Sequence, residues 1–228
     1  MRPTADSFHA LARSSPWRWT SLHVRHRRGG EAASPGTDVE AWLTRPDGVR
    51  ILAADGRSIS NSLGTQRADG AASGPWRPPV PTYRQDGLVA RRPGAGSAAD
   101  RYLDDGLFWE SYTWVAMLDP AELSHHVRVE DLREVEVAGR PAWRARLTAE
   151  TGYAPLCGGD CCELLRSEAG ARSDLADGED LPARSAGVTW PEAYDAALDV
   201  ATGVVVLLHP VGGTGRDLWL ENDIIASA

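Results

Sequence analysis

The second half of the chain carries two hairpin patterns, which constrain the fold more than any other feature of the sequence. In the first, Val127–Val137 leads through a turn at 138–140 into a run that ends at Ala149. In the second, residues 194–211 are interrupted by a glycine-containing turn at 201–203. Runs of β-branched and aromatic residues joined by such turns are typical of antiparallel strands. We therefore predict a meander of long strands that curves around an interior.

The first half adds a third hairpin and an N-terminal helix. Thr4 is predicted to cap the helix, and a half-buried strand follows at 19–27. Residues 39–44 and 49–54 flank a Pro-Asp-Gly turn and are predicted to form the hairpin. Shorter strands are predicted at 83–90, with Asp86-Gly87 as a possible turn, and at 217–225.

Residues 107–118 carry the clearest helical pattern. Leu107, Trp114 and Leu118 fall on one face at helical spacing. Asp119 is predicted to cap a further helical turn that begins at Pro120. The expected fold class is α+β: a curved antiparallel sheet, open like a half-barrel, with helices packed on its concave face.

The distribution of tryptophan bears on domain organisation. The nine tryptophans are spread along the whole chain, and such spreading favours one continuous core. We predict a single domain over residues 1–228. Residues 56–81 are rich in small residues and proline, and residues 163–187 are largely polar, so both are expected to form mobile loops.

Composition narrows the classes of partner and the expected compartment. The formal net charge of −8 argues against a nucleic-acid partner, because phosphate binding favours a basic surface. Basic and polar residues interrupt every apolar cluster near the N-terminus, so neither a signal peptide nor a lipoprotein signal is visible. No stretch has the length of a transmembrane helix. The expected location is the cytoplasm.

Three cysteines lie close together, at Cys157, Cys161 and Cys162. Three thiolates could bind zinc or copper, but the paired Cys-x-x-Cys pattern and a second cluster are missing. A disulfide or redox role and simple packing as small apolar side chains are the alternatives. We favour packing and predict no stoichiometric zinc.

Motifs for catalysis are weak or missing. His125 and His126 are adjacent and are predicted to be solvated loop residues rather than ligands of one ion. Residues 212–216 are glycine-rich but lack the Lys-Ser/Thr ending of a phosphate loop. No Gly-x-Ser-x-Gly motif and no Ser/His/Asp set can be recognised. We predict a protein that is not an enzyme, with no catalytic residues, no metal and no cofactor.

The order of elements resembles the lipoprotein-carrier superfamily typified by LolA, including its actinobacterial members. The matching segments are a helix ahead of a strand, a hairpin, a helical lid region, and two strand–turn–strand patterns (8–27, 39–54, 108–123, 135–147 and 194–206). The resemblance implies an open half-barrel whose helices cover an apolar cavity. Members of this superfamily bind acyl chains or serve as protein-binding sensor domains. The chain is expected to depart from the superfamily, because no export signal is visible and because it carries the cysteine segment and two long loops.

The function expected on this basis is non-enzymatic binding of a lipid or another apolar small molecule. Trp109, Trp114, Val115 and Leu118 are the candidate lining residues, because an aromatic lid over an apolar sheet is typical of small-molecule sites. Trp109 lies off the Trp114/Leu118 stripe, so one of the two tryptophans could instead face solvent. The alternatives are a regulatory domain that holds a protein partner through a strand edge, a packed interior without a cavity, and a metal or redox protein.

Overall fold

The computed structural model of the protein describes residues 3–30, 37–62, 79–94, 107–155, 163–173, 175, 179–181, 187–214 and 218–228. The α-helices are α1 Ala5–Ser14, α2 Tyr112–Leu118 and α3 Glu168–Arg172, and 3-10 helices span Ser15–Trp17 and Ala121–Ser124. The first strands are β1 Ser21–Gly29, β2 Thr37–Thr44, β3 Gly48–Ala53, β4 Ser58–Ser62, β5 Thr82–Tyr83 and β6 Val89–Arg91. The later strands are β7 Val127–Val137, β8 Arg140–Ala149, β9 Pro191–Asp199, β10 Val205–Gly212 and β11 Trp219–Ser227.

Nine strands form one curved, unclosed sheet in the order β4-β3-β2-β1-β11-β10-β9-β8-β7, and every neighbouring pair is antiparallel. Strands β5 and β6 pair separately. The three predicted hairpins are the β2–β3, β7–β8 and β9–β10 pairs. The pairing of β1 with β11 joins the two ends of the chain at the middle of the sheet. The predicted fold class, an open antiparallel half-barrel of α+β type, is confirmed.

One face of the sheet is buried beneath the helices, and we call it the inner face. In β1, Leu22, Val24 and His26 lie on this face and are buried, while the intervening side chains point outward. Register shifts in β1, β7 and β10 place bulges in these strands, and bulges bend a strand and increase its twist. The curvature lets short helices pack against a sheet of this width.

Helix α1 begins where the sequence predicts. The Thr4 hydroxyl accepts a hydrogen bond from the Ser7 amide at 3.2 Å, and the Ser7 hydroxyl accepts one from the Thr4 amide at 2.7 Å. Two amides that the helix leaves without partners are thereby satisfied. Phe8 and Leu11 on the buried face then join the core.

The helix predicted at 107–118 is wrong in its first turn, because α2 begins at Tyr112. Glu110 has a φ of +58°, a left-handed conformation that no α-helix contains, and Trp109 pairs with Ser111 in a tight turn. The predicted capping by Asp119 is also wrong. Its carboxylate is paired with Arg92, and the 3-10 helix that follows begins at Ala121.

The two predicted loops contain regular structure where they are described. Strand β4 lies within 56–81 and pairs with β3, and helix α3 lies within 163–187. Residues 83–90, predicted as one short strand with a possible turn at Asp86-Gly87, hold a turn at that place between the short strands β5 and β6. No helix in the described ranges combines the length and the apolar character that a membrane crossing requires.

Candidate ligand site

Helix α2 lies on the inner face along β1 and is fastened at both ends. At its start, the buried guanidinium of Arg28 donates to Glu110 Oε2 at 2.7 Å and to Ser111 Oγ at 3.1 Å. At its end, Ser15 Oγ donates to the carbonyl of Leu118 at 2.6 Å. Because Arg28 lies near the end of β1 and Ser15 lies before its start, α2 runs antiparallel to this strand.

Three aromatic rings meet beneath α2. Trp109 and Trp114 pack edge to face, with ring centroids 5.2 Å apart and planes at 78°. Trp114 makes a second edge contact with His26 of β1, at 5.1 Å and 83°. Such geometry places the positive edge of one ring against the negative face of the next. The left-handed turn at Glu110 is what returns Trp109 toward Trp114.

The four side chains predicted to line the site share this region. Trp109, Trp114 and Leu118 are buried, at 7%, 1% and 2% exposure, and Val115 is partly buried against the same core. Neither tryptophan faces solvent, although the helical spacing allowed for that. The structure therefore brings the four residues into one apolar cluster, and their contact with a ligand stays a prediction.

A polar network that the sequence analysis missed crosses this cluster. His26 Nδ1 lies 2.7 Å from Asn222 Oδ1, across the pairing of β1 with β11. Asn222 Nδ2 donates to the carbonyl of Val205 at 2.6 Å and approaches Met117 Sδ of α2 at 3.5 Å. Strand alternation would have revealed His26, since it shares a parity with Leu22 and Val24.

Two buried atoms of this cluster, His26 Nε2 and Trp114 Nε1, have no hydrogen-bond partner among the described residues. Burial, opposed by the hydrogen bond to Asn222 and reinforced by the charge of Arg28, lowers the pKa of His26 to about 4. Its imidazole is therefore neutral near pH 7. The site therefore combines apolar rings with two polar atoms that lack a hydrogen-bond partner among the described residues: the N–H donor Trp114 Nε1 and the ring nitrogen His26 Nε2.

A concave feature lies at the β7–β8 hairpin, away from α2. It is an open groove of about 500 Å³. Its lining residues are Glu134, Val135, Glu136, Pro141, Ala142, Trp143 and Val200. Among the described strands, β7 has no neighbour on its outer side.

The remaining candidates contribute little to a site. His125 and His126 are exposed, as predicted. Cys157, Cys161 and Cys162 lie outside the described residues, so the zinc prediction stays open. Within the described part of the chain, no three histidine, cysteine, aspartate or glutamate residues are grouped as metal ligands would be.

Comparison with known proteins gives one distant likeness. No protein-family model matches the chain, and no curated protein matches it. The chain is similar to the crystal structure of MucB, with a TM-score of 0.39 and 15% sequence identity. The match covers 96% of this chain and 57% of the MucB chain. The chain thus spans little more than half the length of MucB. A likeness this distant assigns neither a family nor a function.

Proposed function

We propose that the protein is a non-enzymatic binding protein that holds a lipid or acyl-type apolar ligand between α2 and the inner face of the sheet. Trp109, Trp114, Val115 and Leu118 would contact the ligand's apolar part. The proposal is supported by the open half-barrel architecture and by the sequence resemblance to lipoprotein carriers. It does not depend on any catalytic group.

The observation that carries the proposal is the pair of unsatisfied buried atoms, His26 Nε2 and Trp114 Nε1. A buried polar atom without a partner costs about 1–3 kcal/mol, and native cores contain few of them. Two such atoms, on rings in contact with each other, would lower the free energy of unfolding of a core that had no function besides stability. A bound molecule with a polar end would satisfy them.

Helix α2 is suited to act as a cover that opens. It has seven residues, too few for a helix that is stable without tertiary contacts. Polar contacts fasten it at both ends, through Arg28 at its start and Ser15 at its end. Release of the Arg28 contacts would free Glu110 and Trp109 together and expose the rings beneath.

The proposal is tested in two steps. Denaturing mass spectrometry of an organic extract of the purified protein should detect a co-purified apolar molecule. Titration with the apolar dye phenylnaphthylamine should then show saturable binding, weakened roughly tenfold by Trp109→Ala. Trp42→Ala is the matched control, since Trp42 stacks on His23 on the outer face. Absence of both an extracted molecule and saturable dye binding would reject the proposal.

A second candidate function is the binding of an extended protein segment along β7. The observations in its favour are the open outer side of this strand and the adjacent groove, which carries Glu134 and Glu136. An added strand would gain backbone hydrogen bonds, and the acidic rim would favour a basic segment.

This second function predicts that a peptide of alternating arginine and valine binds, whereas its glutamate counterpart does not. The double variant Glu134→Arg/Glu136→Arg should weaken binding roughly tenfold at low salt. Glu130→Arg is the control, because a bulge separates Glu130 from the groove half of β7. Equal binding of the two peptides would exclude recognition by charge.

A further inference from the structure

We propose that the site beneath α2 recognises a hydroxyl group, which donates a hydrogen bond to His26 Nε2. This inference rests on the proposed function, because it names the polar end of the ligand held there. The ligand class is a neutral apolar molecule with a hydroxyl head, such as a fatty alcohol or a monoacylglycerol.

A hydrogen bond to the Val205 carbonyl determines the orientation of the Asn222 side chain. Its side-chain amide has one atom 2.6 Å from the carbonyl oxygen of Val205. A carbonyl oxygen only accepts hydrogen bonds, so the atom facing it is the amide nitrogen. The atom that faces His26 at 2.7 Å is therefore the amide oxygen, Oδ1.

The contact with Asn222 determines which ring nitrogen of His26 carries the proton. Because Asn222 Oδ1 can only accept, His26 Nδ1 must carry the hydrogen and donate it. A neutral imidazole has one N–H, so Nε2 bears a lone pair and is an acceptor. His26 is 1% exposed, and its burial against Trp114 and near the positive charge of Arg28 keeps the ring neutral at physiological pH.

The lone pair on His26 Nε2 selects a ligand that can donate a hydrogen bond. A group that satisfies Nε2 must offer a proton, which a hydroxyl does and an ether or an ionised carboxylate does not. The same hydroxyl oxygen has lone pairs for Trp114 Nε1–H, which also lacks a partner among the described residues. A carboxylate would in addition carry a charge into an apolar interior, at a high desolvation cost.

The test compares three ligands with the same ten-carbon chain: decanol, decyl methyl ether and decanoate. Displacement of phenylnaphthylamine at pH 7 should show decanol binding roughly tenfold or more tightly than the ether. Decanoate should bind more weakly than decanol. Monodecanoylglycerol, which presents hydroxyls from a lipid head group, should resemble decanol.

Two variants test whether His26 causes the preference for decanol over the ether. His26→Phe keeps an aromatic ring and removes Nε2, so the preference for decanol over the ether should disappear. His23→Phe, on the outward face of the same strand, should retain it. Decanol and ether binding equally well to the wild type would overturn this inference and leave the proposed function standing. Failure of all four ligands to bind would instead count against the proposed function itself.

Discussion

At the scale of single residues, His26 links the candidate site to stability. Its pKa in the folded protein is about 4, below the ordinary value of 6.5, because burial disfavours the charged ring. Between these pH values the unfolded chain binds a proton that the folded protein does not. The free energy of unfolding should therefore fall as the pH falls from about 6.5 to about 4, by about 3 kcal/mol from this residue.

Urea unfolding of the wild type and of His26→Gln at successive pH values measures this contribution. Most of the fall in the free energy of unfolding should be absent in His26→Gln and should be retained in His23→Gln. Burial also lowers the pKa of His9, so a part of the decline in the same direction remains in both variants. Identical slopes for the wild type and His26→Gln would show that His26 titrates normally.

A buried ion pair gives a second prediction at this scale. Arg92 Nη1 donates to Asp119 Oδ2 at 2.9 Å, Arg92 Nη2 binds the other oxygen, and both side chains are buried. Asp119 also opposes the loss of charge on buried Arg45, whose pKa burial lowers to about 9. Asp119→Asn would leave buried cations without this countercharge and should destabilise the protein by about 3–5 kcal/mol in chemical unfolding.

The exposed pair between Arg172 and Glu168 on α3 is the matched control. These side chains lie four residues apart, and both are about half exposed. Glu168→Gln should change the free energy of unfolding by no more than about 0.5 kcal/mol. Equal effects of the two substitutions would contradict the structural role assigned to Asp119.

Individual site residues could be predicted from the sequence only in part. Helical spacing identified Trp114 and Leu118, and both lie in the cluster beneath α2. The orientation of Trp109 could not be predicted, since it depends on a left-handed residue held by Arg28, more than eighty positions away in the chain. His26 was overlooked although alternation places it on the same face as Leu22 and Val24, because a histidine side chain is usually assigned to the solvent-facing side of a strand.

At the scale of elements, a substitution in the β7–β8 turn should make the protein more stable. Ala138 and Gly139 both have positive φ, +49° and +78°, which defines a type I′ turn. Alanine adopts this conformation at a cost of roughly 1 kcal/mol, whereas asparagine tolerates it. Ala138→Asn should therefore raise the free energy of unfolding by about 1 kcal/mol.

Gly139→Ala serves as the opposing test of the same turn. A Cβ at this position would meet no atom within 4 Å, so any destabilisation comes from the backbone conformation alone. We expect a loss of about 1 kcal/mol in urea unfolding. Stabilisation by Gly139→Ala, or destabilisation by Ala138→Asn, would show that the turn is of another type.

Elements were predictable where their signals are local. The β7–β8 and β9–β10 hairpins follow from alternation and turn residues, and α1 follows from its cap at Thr4. The start of α2 was not predictable, because helical periodicity continues through Glu110 although the backbone does not. Strand β4 was hidden in a sequence of small polar residues, and only its pairing with β3 makes it a strand.

At the scale of the whole molecule, the curvature of the sheet and the pairing that joins its two halves determine what the protein can bind. An open antiparallel sheet with apolar alternation was predictable from the repeated hairpins. The β1–β11 pairing was not, because it joins segments almost two hundred residues apart and leaves no local mark. That pairing nevertheless builds the site, since it places Asn222 beside His26 and beneath α2.

Binding of a hydroxyl-bearing apolar ligand beneath α2 is the proposal on which the function of the site depends. Its most direct test is a proton–nitrogen correlation spectrum of the tryptophan indole N–H groups during titration with decanol, with Trp114→Phe providing the assignment. We expect a large downfield shift of the Trp114 resonance as its N–H gains an acceptor, and a smaller change at Trp109. Trp219 alternates with the buried Leu220 and Asn222 of β11 and so lies on the outer face, as Trp42 does. The resonances of Trp42 and Trp219 should therefore stay in place. An unchanged Trp114 resonance at the solubility limit of decanol, or shifts confined to Trp42 and Trp219, would contradict ligand binding beneath α2.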